Sequence, residues 1–265
     1  MRFEISIKNK EELGMILELI QECRITKVNL VDKTNQVENS WLAHKLLELQ
    51  NDLDITLCFS IKNRYSGNPL FTFQKLQEFI YLAAQENIIQ YLIISGNPKR
   101  QLDAIKALEY YATDIFKRQN YYNDFKFSDK FFCAYNPSLG GRDLETENQR
   151  LVEKINTKIV SGVYLQISSN EKLLLEGINH IKSFKEKVQI LGSILIPTIS
   201  ILKSLEFRPW HGVELSPDYL ESLEKAEIIT QNLFNFYNSQ GVEPVVTIIP
   251  FNKENLKNFY KKYQL

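Results

Sequence analysis

The chain has 265 residues, 44% of them apolar, with Lys+Arg and Asp+Glu balanced at 32 each. That is apolar material enough for a sizeable core, and the absence of net charge provides no field that recommends nucleic acid or an anionic membrane as partner. Three cysteines, Cys23, Cys58 and Cys133, form no CxxC pair, and no apolar run is long enough to cross a bilayer, so a cytoplasmic protein with reduced core thiols is expected.

Arg2–Ile7 reads as a short strand with Glu4 in its middle, and the N-terminus enters it directly, with no room for a signal peptide. Leu13, Ile16, Leu17, Ile20 and Cys23 recur at helical spacing. Lys27–Val31 is a second strand, followed by a polar loop and a helix over 40–49 with Ser40 as N-cap. Ile55–Phe59 is a third strand, and the loop Lys62–Pro69 leads to a helix starting near Thr72. Tyr91-Leu92-Ile93-Ile94 is an unbroken apolar run that stops abruptly at Ser95-Gly96-Asn97-Pro98. Such a run, bounded by turn residues, predicts a strand buried on both faces, as in a parallel sheet.

A helix around Leu102–Phe116 follows, then a polar, tyrosine-rich excursion over 117–130. Phe131–Tyr135 is the fifth strand and ends in Asn136-Pro137-Ser138-Leu139-Gly140-Gly141. Leu144, Asn148, Leu151, Ile155 and Ile159 make one face of the next helix, and Val163–Ile167 is the sixth strand, with Gln166 near its end. A helix around Glu171–Phe184 leads to the seventh strand, Val188–Ile196, which Pro197 closes; a short helix follows Thr198. Trp210–Leu215 is an irregular apolar piece. Leu220, Leu223, Ala226, Ile229, Leu233 and Phe236 form a helical stripe that Gly241 stops. Pro244–Ile249 is the eighth strand, and a lysine-rich amphipathic helix ends the chain. Strands alternating with helices at roughly 30 residues per unit predict a single (β/α)8 TIM barrel over residues 1–265, with no internal repeat or inter-domain linker.

In such a barrel functional groups project from the C-terminal ends of strands. Those ends offer Glu4, Asn97 beside Gly96, Tyr135, Gln166 and the loop Phe251-Asn252-Lys253. Each has a plainer reading: a solvated or salt-bridged carboxylate for Glu4, packing for Tyr135, and for Gln166 an amide satisfied within the barrel core as readily as by a ligand. The metal and nucleophile classes find no support. His44, His180 and His211 are scattered, and GxSxG, Walker A and GxGxxG motifs are all missing. Gly140-Gly141 follows a strand and precedes a helix, which suits either a phosphate or a plain loop.

These strand ends, in this order, resemble the methylenetetrahydrofolate reductase family of flavin-dependent (β/α)8 barrels. Phe3-Glu4-Ile5 is similar to the family's opening Phe-Glu-Phe, which carries its catalytic glutamate. Tyr91–Pro98 resembles the strand ending Arg-Gly-Asp-Pro, and Cys133-Ala134-Tyr135-Asn136-Pro137 the Ala-Ala-Tyr-Pro-Glu turn with one residue inserted. Lys154–Gln166 resembles Lys-Val-x-x-Gly-Ala-x-x-x-x-Thr-Gln, which matches Lys154 to the cofactor-side lysine and Gln166 to the pterin-binding glutamine. Ile194-Leu195-Ile196-Pro197 and Gly241–Lys253 are similar to the family's Gly-Ile-Leu-Pro and Gly-Val…Tyr-Thr-Leu-Asn-Arg segments.

The resemblance implies reduction of 5,10-methylenetetrahydrofolate to 5-methyltetrahydrofolate, with NADH or NADPH as hydride donor and FAD as carrier. Glu4 would be the acid that opens the substrate's five-membered ring, and Gln166, Asn97 and Lys253 would bind substrate. Tyr135, Lys154 and Gly96 would line the cofactor side. A homo-oligomer or a partner reductase subunit is compatible with this, and the implied ligand is a reduced folate. The departures cluster where the family grips flavin. Its Ser-Val-Thr-x-Gly-Ala loop is Asn29-Leu30-Val31-Asp32-Lys33-Thr34 here, its Pro-His-Leu-Thr histidine is Phe59, and its Arg-Gly-Asp tip is Ser95-Gly96-Asn97. Asp32 is expected to repel a phosphate, so the sequence predicts that FAD binds weakly or not at all. Two alternatives stand beside the reductase: a folate-binding barrel without redox activity, acting as a binding or regulatory subunit, and a barrel enzyme of another class on the same scaffold.

Overall fold

The computed structural model describes residues 1–7, 10–32, 39–49, 52–65, 67–95, 102–121 and 129–263. The strands β1 (Arg2–Ile5), β2 (Lys27–Leu30), β3 (Asp54–Ser60), β4 (Gln90–Ile94), β5 (Lys130–Tyr135), β6 (Val160–Leu165), β7 (Gln189–Leu195) and β8 (Glu243–Thr247) are all parallel and close into a barrel in chain order. Around them run α1 (Lys10–Glu22), α2 (Asn39–Leu49), α3 (Ile61–Arg64), α4 (Pro69–Gln85), α5 (Ala104–Tyr121), α6 (Gly141–Asn156) and α7 (Glu171–Lys182), then α8 (Ile199–Phe207), α9 (Pro217–Glu221), α10 (Leu223–Gln240) and α11 (Lys253–Tyr263). This is the (β/α)8 TIM barrel that the alternation of strands and helices implied.

The differences lie at element ends and have local causes. Helix α4 starts at Pro69 because the Asn68 side chain accepts hydrogen bonds from the backbone N–H groups of Leu70 (2.9 Å) and Phe71 (3.3 Å), and proline suits a first helical position. Ser40 is not a cap; it is the second residue of α2. Helix α5 continues to Tyr121, into the expected excursion, whose residues 122–128 lie outside the described ones. The apolar stripe that begins at Leu220 is divided at Ser222, whose side chain caps α10 through the Lys225 N–H (3.2 Å). Gly241 ends α10 in a left-handed conformation (φ 69°), as expected.

Strand residues alternate between two environments. Phe3, Val28, Leu57, Tyr91 and Phe131 face the helices and join the main apolar layer, where Phe3 meets Phe259 edge-on at 5.6 Å. Cys58, Leu92, Phe132, Tyr164, Leu191 and Val245 point inward and fill the barrel as a separate cluster, with the Phe132 and Tyr164 rings perpendicular at 5.5 Å. Filled this way, the barrel is a packed core, not a channel. Its N-terminal end is closed by Arg2, only 2% exposed. The Arg2 guanidinium donates to the carbonyls of Val28 (3.2 Å) and Asp54 (3.3 Å), to Thr56 Oγ1 (2.9 Å), Asp54 Oδ2 (2.9 Å) and Gln90 Oε1 (3.4 Å).

Close packing between β7 and α10 depends on Gly192. A Cβ there would lie 2.4 Å from the ring of Tyr237, which is itself fully buried. Gly192→Ala is therefore expected to destabilise the protein by about 1–3 kcal/mol, the usual cost of overpacking, as a lowered midpoint in thermal denaturation. An unchanged midpoint would contradict this contact.

Candidate functional site

With the interior packed, functional groups are sought at the C-terminal ends of the strands, the barrel's mouth. Glu4, in β1, is half-buried there, and its Oε1 accepts a hydrogen bond from Thr247 Oγ1 of the neighbouring β8 (3.2 Å). Its partner in register on β2 is Asn29, fully buried. Asn29 Oδ1 accepts from the Tyr164 hydroxyl (2.9 Å), while Asn29 Nδ2 has no partner among the described residues. A buried donor left in this way typically costs about 1–3 kcal/mol, so it is a feature to be explained at this depth.

Gln166 stands just past the end of β6, three strands from β1 around the ring through β8 and β7. Its N–H donates to the Tyr135 carbonyl (2.9 Å), and its Oε1 accepts the N–H of Ile167 (3.1 Å). Among the described residues its Nε2 donates to nothing. Asn136, at the end of β5, donates from Nδ2 to the Gly212 carbonyl (2.8 Å) and accepts the Ser138 N–H at Oδ1 (3.0 Å). A Cβ on Gly212 would lie 3.5 Å from both Gln166 Nε2 and Asn136 Nδ2, so the two amides and this glycine form one wall of the mouth.

Gly212 belongs to the segment read from sequence only as an irregular apolar piece. It is a strap over the β6 end: Glu214 pairs with Ser168 in an isolated parallel bridge, Ser169 N–H donates to the Glu214 carbonyl (2.9 Å), and Ser168 Oγ donates to Glu214 Oε2 (2.6 Å). Trp210, Val213 and Leu215 anchor it on Ile167, Leu195 and Leu205. Glu214, Ser168 and Asn136 were missed as site candidates. The signal for the strap was available as an apolar run (Trp210, Val213, Leu215) too broken to be a strand or a helix.

Tyr135, Lys154 and Lys253 are not gathered at the mouth. Gly96 and Asn97 lie outside the described residues. Tyr135 points away from the barrel axis into the helix layer, where its hydroxyl donates to Asn148 Oδ1 (2.6 Å) and its ring lies 6.2 Å from that of His180; burial pushes its pKa up to about 12. Lys154, 4% exposed, donates to the Ala134 carbonyl (2.8 Å) and pairs with Glu147 (3.6 Å), holding α6 to β5. Lys253 is exposed and paired with Glu22 of α1 (2.7 Å).

Two electrostatic expectations change. Asp32 is buried, but Arg64 neutralises it with donors at 3.0 and 3.2 Å and the Ser60 N–H donates to it (2.9 Å), so it is a fixed, paired group with little left to repel a phosphate. The cation lost at Ser95 is partly replaced: Arg150 of α6 reaches Ser95 Oγ (3.4 Å), but it is held by Asp103 (3.1 Å) and Glu147 (3.8 Å). Thiol chemistry is suppressed throughout. Burial, then the Glu4 charge, raises the Cys58 pKa well above normal, and burial pushes Cys133 up to about 11, so neither supplies a thiolate near neutrality. Among the described residues there is no cluster of metal-ligating side chains, and no helix is long and apolar enough to cross a membrane.

No family model and no curated protein matches the chain. Solved structures do. An uncharacterized protein from Clostridium thermocellum that binds two copies of 5-methyl-5,6,7,8-tetrahydrofolic acid superposes with a TM-score of 0.62 at 14% identity, over 97% of this chain and 90% of that one. A candidate lyase/mutase from Burkholderia cenocepacia J2315 superposes with a TM-score of 0.52 at 13% identity, over 98% of this chain and 80% of that one. At these identities the likeness shows a shared (β/α)8 fold.

Proposed function

We propose that the barrel mouth binds a reduced folate. The observation that carries the reading is the Gln166 carboxamide, fixed at the rim through its Oε1 and with Nε2 left to donate, in the position where the resemblance puts a pterin-binding glutamine. A pterin presents an acceptor and donor edge that such an amide matches, and a site built for that pairing rejects ligands lacking it. Glu4 offers a half-buried carboxyl on the other side of the mouth. The fold shared with a barrel that binds 5-methyltetrahydrofolate supports this reading. That protein binds two copies, so the mouth accounts for one of two ligands if the parallel extends to stoichiometry.

The finer proposal is reduction of 5,10-methylenetetrahydrofolate with hydride from NADH or NADPH. Glu4 then protonates the departing folate nitrogen as the five-membered ring opens to an iminium, the step a positioned acid assists. The sequence candidates among the described residues offer FAD little grip. Tyr135 faces the helix layer, Lys154 is committed to a strand carbonyl, and Arg150 is paired with two carboxylates, so none of these three is left to hold the cofactor. This favours the second reading, a folate-binding barrel without redox chemistry of its own or one that works with a partner reductase. The protein is expected to purify colourless, checked by an absorbance scan with and without added FAD; near-stoichiometric FAD surviving dialysis would contradict it.

The binding claim is tested by calorimetric titration with 5-methyltetrahydrofolate. Gln166→Ala is expected to weaken binding by about 1–3 kcal/mol, roughly fivefold to 150-fold, with the fold intact. Unchanged affinity would assign Gln166 to the barrel alone.

A further inference from the structure

Side chains directly above the packed interior differ from strand to strand. Two residues toward the mouth from Leu92, Phe132, Tyr164 and Leu191, on the same face of each strand, stand Ile94, Ala134, Gln166 and Ser193. All four are part-exposed, as Glu4 is, whereas the residues below them are buried, so they line a recess above the interior cluster. Ile94 and Ala134 make its β4–β5 side apolar, and Gln166, Ser193 and Glu4 make the side formed by β6, β7 and β1 polar. Ser193 lies in a stretch, 190–196, that has no other polar side chain. Its direction is fixed by its neighbours: Gly192 packs on Tyr237 of α10 and Ile194 joins the main apolar layer on the helix side. Among the described residues its hydroxyl has no hydrogen-bond partner.

The register sets Ser193 beside Gln166. Strands β6 and β7 pair through Tyr164 with Leu191 and Leu165 with Gly192, and the next position on each chain is Gln166 and Ser193. Neighbouring strands lie about 4.8 Å apart, so a hydroxyl and an amide with its Nε2 uncommitted stand side by side on the recess wall. On its other side Ser193 pairs with Val245 of β8, two residues before Thr247, whose hydroxyl donates to Glu4. Ser193 thus lies between the two groups assigned to the folate. Adjacent polar groups that the protein leaves unmatched suit a ring whose polar atoms follow one another along an edge, as those of a pterin do. The Gln166 amide donates, and a serine hydroxyl can donate or accept, so it takes the neighbouring ring atom of either kind. We infer that Ser193 is a further pterin-binding group, holding the ring edge between Gln166 and Glu4 while Ile94 and Ala134 face the ring from the apolar side. The inference rests on the reading of the mouth as a folate site.

The test is a calorimetric titration of the full chain with 5-methyltetrahydrofolate, in parallel with Ser193→Ala, Ser193→Leu and Gln166→Ala. Ser193→Ala removes the hydroxyl alone and should weaken binding about two- to twelvefold, the range for one neutral hydrogen bond. Ser193→Leu pushes a larger side chain into the recess and should weaken binding about tenfold or more, through overlap with the ring. Circular dichroism checks that each variant is folded, and Ser193→Ala decides alone if the leucine variant is not. Either folded Ser193 variant binding as tightly as the parent, while Gln166→Ala binds more weakly, overturns the role of Ser193 and keeps the mouth. Weakening by both Ser193 variants with Gln166→Ala unchanged keeps Ser193 and removes Gln166. A parent that does not bind, or three variants that all bind as it does, overturns the mouth and Ser193 together.

Discussion

On the reductase reading, replacing Glu4 by glutamine is expected to slow NADH- or NADPH-dependent formation of 5-methyltetrahydrofolate by at least about a hundredfold, the lower range of what a general acid contributes. The substitution keeps the side chain's shape and its acceptor for the Thr247 hydroxyl, so the β1–β8 contact at 3.2 Å survives and the affinity for 5-methyltetrahydrofolate should change little. What is lost is the proton. Steady-state kinetics with 5,10-methylenetetrahydrofolate separates the two quantities. Turnover at the parent rate would remove Glu4 as the acid, and a parent protein that binds the folate without reducing it would leave Glu4 a binding group alone.

The second large effect is structural. Arg2→Met keeps an unbranched stem inside the barrel but removes the guanidinium that donates to Asp54, Gln90, Thr56 and the carbonyl of Val28, leaving Gln90 Nε2 as a donor to Asp54 (2.6 Å). Removing one member of a buried charged network typically costs about 3–5 kcal/mol, because its partners are left unsatisfied. The Asp54 side chain is 30% exposed, so water relieves part of that, and a loss of about 3 kcal/mol is expected in denaturant unfolding. A loss below about 1 kcal/mol would mean that the network is incidental to the barrel's closed end.

The barrel was legible because its physics is local and periodic. Apolar runs such as Tyr91–Ile94, helical stripes such as that of α10, and turn residues such as Gly241 each specify an element without tertiary information. Direction was harder to read. Tyr135 ends a strand just as a mouth residue should, yet the pleat sends alternate side chains to opposite faces, and it falls on the helix side with Phe131 and Cys133. Gln166, on the same side of β6 as Tyr164, falls on the barrel side. Pairing was illegible. Asp32 read alone looks hostile to an anion, and only the fold brings Arg64, 32 residues away, to neutralise it. The same holds for Lys154 and Lys253, whose charges are spent on Glu147 and Glu22. The strap that carries Gly212 and Glu214 has no periodicity for a sequence to display; its shape is set by hydrogen bonds to Ser168 and Ser169.

Hydrogen–deuterium exchange with saturating 5-methyltetrahydrofolate tests most directly whether the mouth is the folate site. The β6 end over 163–169 and the strap over 208–216 should exchange more slowly with ligand than without, because a ligand held by Gln166 closes both against solvent. Ligand binding that leaves exchange in these two segments unchanged would contradict the account.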